Sequence, residues 1–135
     1  SVSVPRLFDV ESFATVHHLV STVTGRLAPG RDAVSLLRAC FPGGSVTGAP
    51  KIRAMEIIDD LEPVARGPYA GAVGYLDFSG NVDTAICLRT VVAAGDRAWV
   101  QAGAGIVADS DPDAEYAETE LKMQALLGAL HGDAR

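Results

Sequence analysis

Between positions 14 and 23 the chain runs Ala-Thr-Val-His-His-Leu-Val-Ser-Thr-Val, a β-branched stretch that predicts a strand closed by Gly25. Alternation places Val16, His18, Val20 and Thr22 on one face and His17 on the other. Asp32 is a natural cap for a short helix through about Phe41, with Val34, Leu36, Leu37 and Cys40 facing inward, and Pro42-Gly43-Gly44 stops it. A second helix is expected from about Ala49, where Pro50 suits the first turn; Ile52, Met55, Ile57, Ile58 and Leu61 give it an apolar face to dock on a core. Pro63 and Gly67-Pro68 break the chain. From Tyr69 to about Ala108 the turn signals Ser79-Gly80-Asn81 and Gly95-Asp96 divide apolar runs into a meander of three strands. Asp109-Ser110-Asp111-Pro112 opens a last helix that runs to about Leu130 and ends at His131-Gly132.

The order β, α, α, βββ, α predicts an α+β fold with a mainly antiparallel sheet and packed helices. In this scheme the first strand has no partner adjacent in sequence, so its hydrogen bonds are expected from the distant meander or from chain not present here. No repeat or linker divides the 135 residues, which read as one domain long enough to bury a core.

Charge narrows the partners. Eleven Lys and Arg against 17 Asp and Glu give a net charge of −6, and no basic block exists, which argues against nucleic acid or an anionic membrane. No apolar run reaches the length of a membrane span and no signal peptide is recognisable, so the expected location is cytoplasmic. Cys40 and Cys87 stand far apart in no metal-binding pattern and read as small buried hydrophobes.

Several residues are candidates for chemistry. Gly43 to Lys51 has the look of a phosphate loop, but the GxxxxGK spacing fails because Ala49 stands where Lys is needed; two hydroxyls beside a helix start still suit a carboxylate. Gly103-Ala104-Gly105 marks close backbone approach, either to a neighbouring strand or to a ligand held by bare N–H groups. Glu115 and Glu118 share a helix face, with Lys122 one turn further; a solvated ion pair is the ordinary explanation and a Mg2+ site the sharper one. His18 is either a satisfied core histidine or a catalyst. Arg89 is expected in a strand interior, where a guanidinium needs an anionic partner, and Tyr69 with Arg89 would make a carboxylate clamp.

Five blocks occur in one order: His18-Leu19-Val20-Ser21, residues 42–59 from Pro42 to Asp59, Gly67-Pro68-Tyr69-Ala70-Gly71, residues 83–90 from Asp83 to Thr90, and residues 101–112 from Gln101 to Pro112. Over nearly its whole length the chain resembles the C-terminal part of the chorismate-utilising enzymes, among them aminodeoxychorismate synthase component I, anthranilate synthase component I, and isochorismate and salicylate synthases. Gly43-Gly44-Ser45-Val46-Thr47-Gly48-Ala49-Pro50-Lys51 is similar to the aminodeoxychorismate form of the loop, whereas anthranilate enzymes more typically carry Ala-Gly-Thr at its start.

The resemblance implies that residues 1–135 are the C-terminal portion of a larger chorismate-binding α/β sandwich. It implies His18 as general acid and Ser45 as a hydroxyl beside the reacting ring. Tyr69, Arg89 and the amides of Gly103, Ala104 and Gly105 would hold the enolpyruvyl carboxylate, Lys122 would touch a substrate carboxylate, and Glu118 with Glu115 would serve Mg2+. The implied reaction is substitution on chorismate: its ring carboxylate rests on Mg2+, a nucleophile attacks C2, and the C4 hydroxyl leaves with a proton from His18. Ammonia from a glutamine amidotransferase partner would give 4-amino-4-deoxychorismate, in folate and para-aminobenzoate biosynthesis. The tryptophan-branch anthranilate synthase is the alternative within the family, and a non-catalytic binding or assembly module the alternative outside it. Family members are several times longer, so the 135 residues alone are expected to bind chorismate weakly and to turn it over undetectably.

Overall fold

The computed structural model describes residues 1–14 and 16–132; Thr15, inside the strand expected over 14–23, lies outside the described residues. The chain forms two compact units, Ser1–Arg38 and Ala39–Arg135.

The first unit is a β-ribbon. Strand β1 (Ser3–Ser12) runs antiparallel to β2 (His17–Thr24), closed by the Phe13 amide donating to the Val16 carbonyl at 2.9 Å. The strand carrying His18 therefore does have a sequence-adjacent partner, contrary to expectation. Two bulges, between Ser3 and Arg6 and between Arg6 and Asp9, shift the register, and Phe8 sits at φ 54. Each bulge resets the two-residue alternation by which a strand is recognised, so β1 carries no clean period. The ribbon compensates with polar fastenings: the Phe8 amide donates to Ser21 Oγ (3.1 Å), and Arg6 reaches Asp9 and Glu11, each at 2.8 Å. Helix α1 (Ala33–Cys40) follows, with Asp32 Oδ1 accepting from the Ser35 amide at 2.8 Å, the cap expected of it.

The second unit carries the remaining elements. A single turn, α2 (Gly44–Thr47), precedes α3 (Lys51–Leu61), which begins two residues later than expected with Pro50 at its N-cap. The region expected as a three-strand meander is instead two separate hairpins, β3 (Ala72–Leu76) with β4 (Val82–Ile86) and β5 (Val91–Ala94) with β6 (Arg97–Val100). Both turns lie where their signals stand, with Gly80 at φ +85 and Gly95 at φ +62. The apolar run from Val82 to Val92 breaks at Arg89, whose φ of 50 leaves the strand region and splits the expected middle strand into β4 and β5, and the expected third strand is cut short as β6 because residues 101–107 form a loop. Helix α4 (Pro112–His131) has Asp111 as N-cap, accepting from the Ala114 amide at 2.9 Å, and Gly132 at φ 80 as C-cap; it lies against β6.

Among the described residues all strand pairings are antiparallel and in two-stranded ribbons, so the α+β class is borne out. The expected core is not. Among the described residues only Ala70 and Cys87 are buried hydrophobes, while Ile52 and Leu61, meant to dock α3, are each 76% exposed, and Cys40 is exposed as well. A two-stranded ribbon has no second layer to cover its apolar face. No described helix is long and apolar enough to cross a membrane.

Gly128 stands inside α4 with open space where a side chain would go. Gly128→Ala is expected to stabilise α4 by about 0.5–1 kcal/mol, read as slower amide exchange along the helix; faster exchange would show that the space is needed.

Candidate functional site

The second unit builds its cavity from three loops and one helix face. The first loop leads through Gly43 into α2, where Thr47 Oγ1 donates back to the Gly43 carbonyl at 3.2 Å and Gly48, at φ 100, ends the turn. Lys51 fastens this loop from below, its Nζ donating to the carbonyls of Pro42 (2.6 Å) and Cys40 (3.3 Å). Its ammonium is thus spent on backbone rather than offered to a phosphate, in agreement with the failed phosphate-loop spacing.

The second loop joins α3 to β3. Glu62 caps the C-terminal end of α3, and Arg66 returns to it as a fork, Nε at 2.8 Å and Nη2 at 2.5 Å from the carboxylate. Arg66 Nη1 donates to the Val46 carbonyl at 2.7 Å, and its guanidinium carbon lies 5.6 Å from the centre of the Tyr69 ring. The hydrogen bonds from Arg66 hold the Glu62 carboxyl below the usual carboxylate range, against a partial burial that pushes it upward. Beyond Tyr69, the Ala70 amide donates to the Cys87 carbonyl (2.9 Å) and the Cys87 amide to the Gly71 carbonyl (2.8 Å), which pins this loop to the end of β4.

The third loop carries Gly103-Ala104-Gly105. A side chain at Gly103 would meet Tyr69 Oη at 2.9 Å, so the bare glycine is what lets the phenol rest against the backbone. From α4, Lys122 Nζ donates to the Gly103 carbonyl at 3.1 Å and pairs with Glu118.

Together these parts enclose a cavity of about 500 Å³ whose walls include Ser45, Tyr69, Gly103, Ala104, Gly105 and Lys122. Six of the residues singled out from the sequence thus line one space. The walls are donor-rich: a phenol, a hydroxyl, a lysine ammonium and a loop free of side chains at two of three positions, a set suited to carboxylates.

The other candidates are placed elsewhere. Arg89 is exposed in the bend between β4 and β5, not inside a strand as expected, so no buried guanidinium needs a partner; its neighbour Leu88 lines the cavity. Glu115 is half-buried and accepts from Ser110 Oγ at 2.6 Å, which ties α4 to the loop before it. Glu118 is exposed and held by Lys122. The two carboxylates are hard oxygen donors one turn apart, and Mg2+ takes one or two such groups and fills its octahedron with water and substrate oxygens. The pair therefore fits as a partial ligand set. Among the described residues no three His, Cys, Asp or Glu side chains gather to hold a cation by themselves.

His18 belongs to the first unit. It lies opposite Glu11 on β2, with its ring edge-on to Phe13 at 5.6 Å between centres.

Sequence reasoning missed Arg66 and Glu62, which also line the cavity. They stand four residues apart, a charge-pair spacing, but the segment between them contains Pro63 and reads only as a break in the chain.

A family model described as chorismate binding enzyme matches residues 1–128. The chain is 57% identical over 130 residues to aminodeoxychorismate synthase component 1 of Salmonella typhimurium, covering 96% of this chain and 29% of that protein. It is 58% identical over 130 residues to anthranilate synthase component 1 of Streptomyces coelicolor, covering 96% and 25%. The crystal structure of anthranilate synthase component I from Streptococcus pneumoniae superposes with a TM-score of 0.90 at 51% identity, covering 93% of this chain and 29% of that one. The chain thus spans less than a third of the length of these relatives.

Proposed function

Because the chain belongs to the chorismate-binding enzyme family, we propose that it carries the substrate-gripping part of an aminodeoxychorismate synthase component I. Such an enzyme replaces the C4 hydroxyl of chorismate with an amino group, using ammonia from a glutamine amidotransferase partner. The observation that carries the proposal is the convergence of Ser45, Tyr69, Gly103, Ala104, Gly105 and Lys122 on one cavity. Chorismate is a dianion, and a chain of net charge −6 holds it only through local donors. Tyr69 and the amides of residues 103–105 serve the enolpyruvyl carboxylate, and Lys122 serves a substrate carboxylate. Ser45 stands beside the ring. His18 gives its proton to the departing C4 hydroxyl, which would otherwise leave as hydroxide.

Glu118 and Glu115 would hold Mg2+, which supplies positive charge at the ring carboxylate. Glu118→Gln in the full-length protein is expected to raise the Mg2+ concentration for half-maximal rate by roughly tenfold or more, in proportion to what a lost carboxylate costs a metal site. An unchanged Mg2+ titration would remove Glu118 from the ligand set.

The loop from Gly43 to Lys51 favours the aminodeoxychorismate reaction. The second reading, anthranilate synthase, is favoured by relatives of that name at equal identity. The two differ in mass balance. Amination yields 4-amino-4-deoxychorismate and water, whereas anthranilate formation also expels the enolpyruvyl group as pyruvate. Full-length protein given chorismate, Mg2+ and ammonium is expected to consume chorismate without releasing pyruvate, followed with lactate dehydrogenase. Pyruvate equal to the chorismate consumed would establish the second reading, and intact chorismate with folded protein would leave a binding module.

A further inference from the structure

We propose that Arg66 is a positioning residue, which holds the Tyr69 phenol against Gly103 and acts on substrate through that tyrosine rather than by touching substrate itself. The inference rests on the reading above, in which Tyr69 grips a carboxylate.

Arg66 ties the loop before β3 to itself and to the turn at Val46. Its fork grips Glu62 at the end of α3, Nη1 holds the Val46 carbonyl beside Ser45, and its guanidinium carbon lies 5.6 Å from the centre of the Tyr69 ring. The side chain is only 25% exposed. An arginine in a cavity wall is ordinarily a candidate for binding an anionic ligand directly, but here the Glu62 carboxylate already neutralises it with a two-pronged bond. What remains is geometry: a planar cation with fixed hydrogen bonds on two sides gives the tyrosine ring a rigid neighbour. The phenol also meets Gly103, where a β-carbon would stand 2.9 Å from its oxygen and whose carbonyl is held by Lys122. Tyr69 thus has both Arg66 and the glycine loop as neighbours.

The test uses the full-length protein labelled with 3-fluorotyrosine, the Tyr69 signal being assigned through Tyr69→Phe. Arg66→Met is expected to move or broaden that fluorine resonance. It is also expected to raise the KM for chorismate about tenfold with kcat within about twofold, the pattern of lost uniform binding. In a Tyr69→Phe background the same substitution should add less than about a further twofold, because both changes act through one hydroxyl. Arg66→Lys, which keeps the charge but not the fork, should recover only part of the loss. If Arg66→Met does not fold, Glu62→Gln, which frees the guanidinium without removing it, replaces it in every arm. An unmoved Tyr69 resonance, or KM losses that multiply, would overturn the inference. If the resonance moves but Tyr69→Phe leaves KM unchanged, the reading of Tyr69 as a substrate contact fails, while its positioning by Arg66 holds.

Discussion

His18→Ala in the full-length protein, supplied with ammonium, is expected to cut kcat by about 10²- to 10⁴-fold, the range typical of a lost general acid. Hydroxide leaves a ring carbon poorly, so a proton delivered to the C4 oxygen lowers the barrier to its departure. The strand supplies an internal control. His17 and His18 are adjacent on β2 and therefore point to opposite faces. His17 Nδ1 is engaged with Ser12 Oγ at 2.9 Å on the ribbon itself, while His18 stands edge-on to Phe13. His17→Ala should therefore leave kcat within about twofold, since it removes only an exposed hydrogen bond. Steady-state rates with both variants check this. Equal, small effects from both would make His18 an ordinary strand residue.

Gly74→Ala carries the largest structural effect, an expected destabilisation of about 3 kcal/mol or more, beyond the usual cost of an overpacked site. Gly74 pairs with Thr84 across the β3–β4 hairpin. A β-carbon there falls on the carbonyl oxygen of Asp83 and lies 2.7 Å from the Thr84 α-carbon. Backbone atoms cannot swing aside as a side-chain tip can, so the strands must part. Parting them also frees Cys87, whose bonds to Ala70 and Gly71 pin the loop bearing Tyr69. Loss of chorismate binding should therefore accompany the fall in the urea midpoint. A variant with the parent's midpoint would show that the hairpin opens at little cost.

How far the sequence could be read depended on whether each signal was local. Asp32, Asp111 and Gly132 mark helix ends through bonds made within one turn, and Gly95-Asp96 marks its hairpin the same way; all lie where expected. The grouping of Tyr69, the glycine loop and Lys122 was legible only through the family resemblance, because no local pattern links positions 69, 103 and 122. Strand β1 was illegible because its two bulges erase the alternation. Arg89 was misplaced because apolar and β-branched residues flank it on both sides, and a single positive φ leaves no mark on composition. Arg66 escaped notice because Pro63 hides its i,i+4 pairing with Glu62 and its bond to the Val46 carbonyl, twenty residues away, leaves no local pattern.

The three ribbons carry a practical consequence. Among the described residues no third strand covers the outer rim of any ribbon, and the β1–β2 ribbon bears Leu7, Phe8, Val10 and Leu19 in the open. Such rims are templates for another chain, and a net charge of −6 spread over 135 residues is a weak deterrent at physiological salt. A bench preparation of this segment by itself would call for low concentration and a solubilising fusion, and any light-scattering growth on storage would report sticky rims rather than biological assembly.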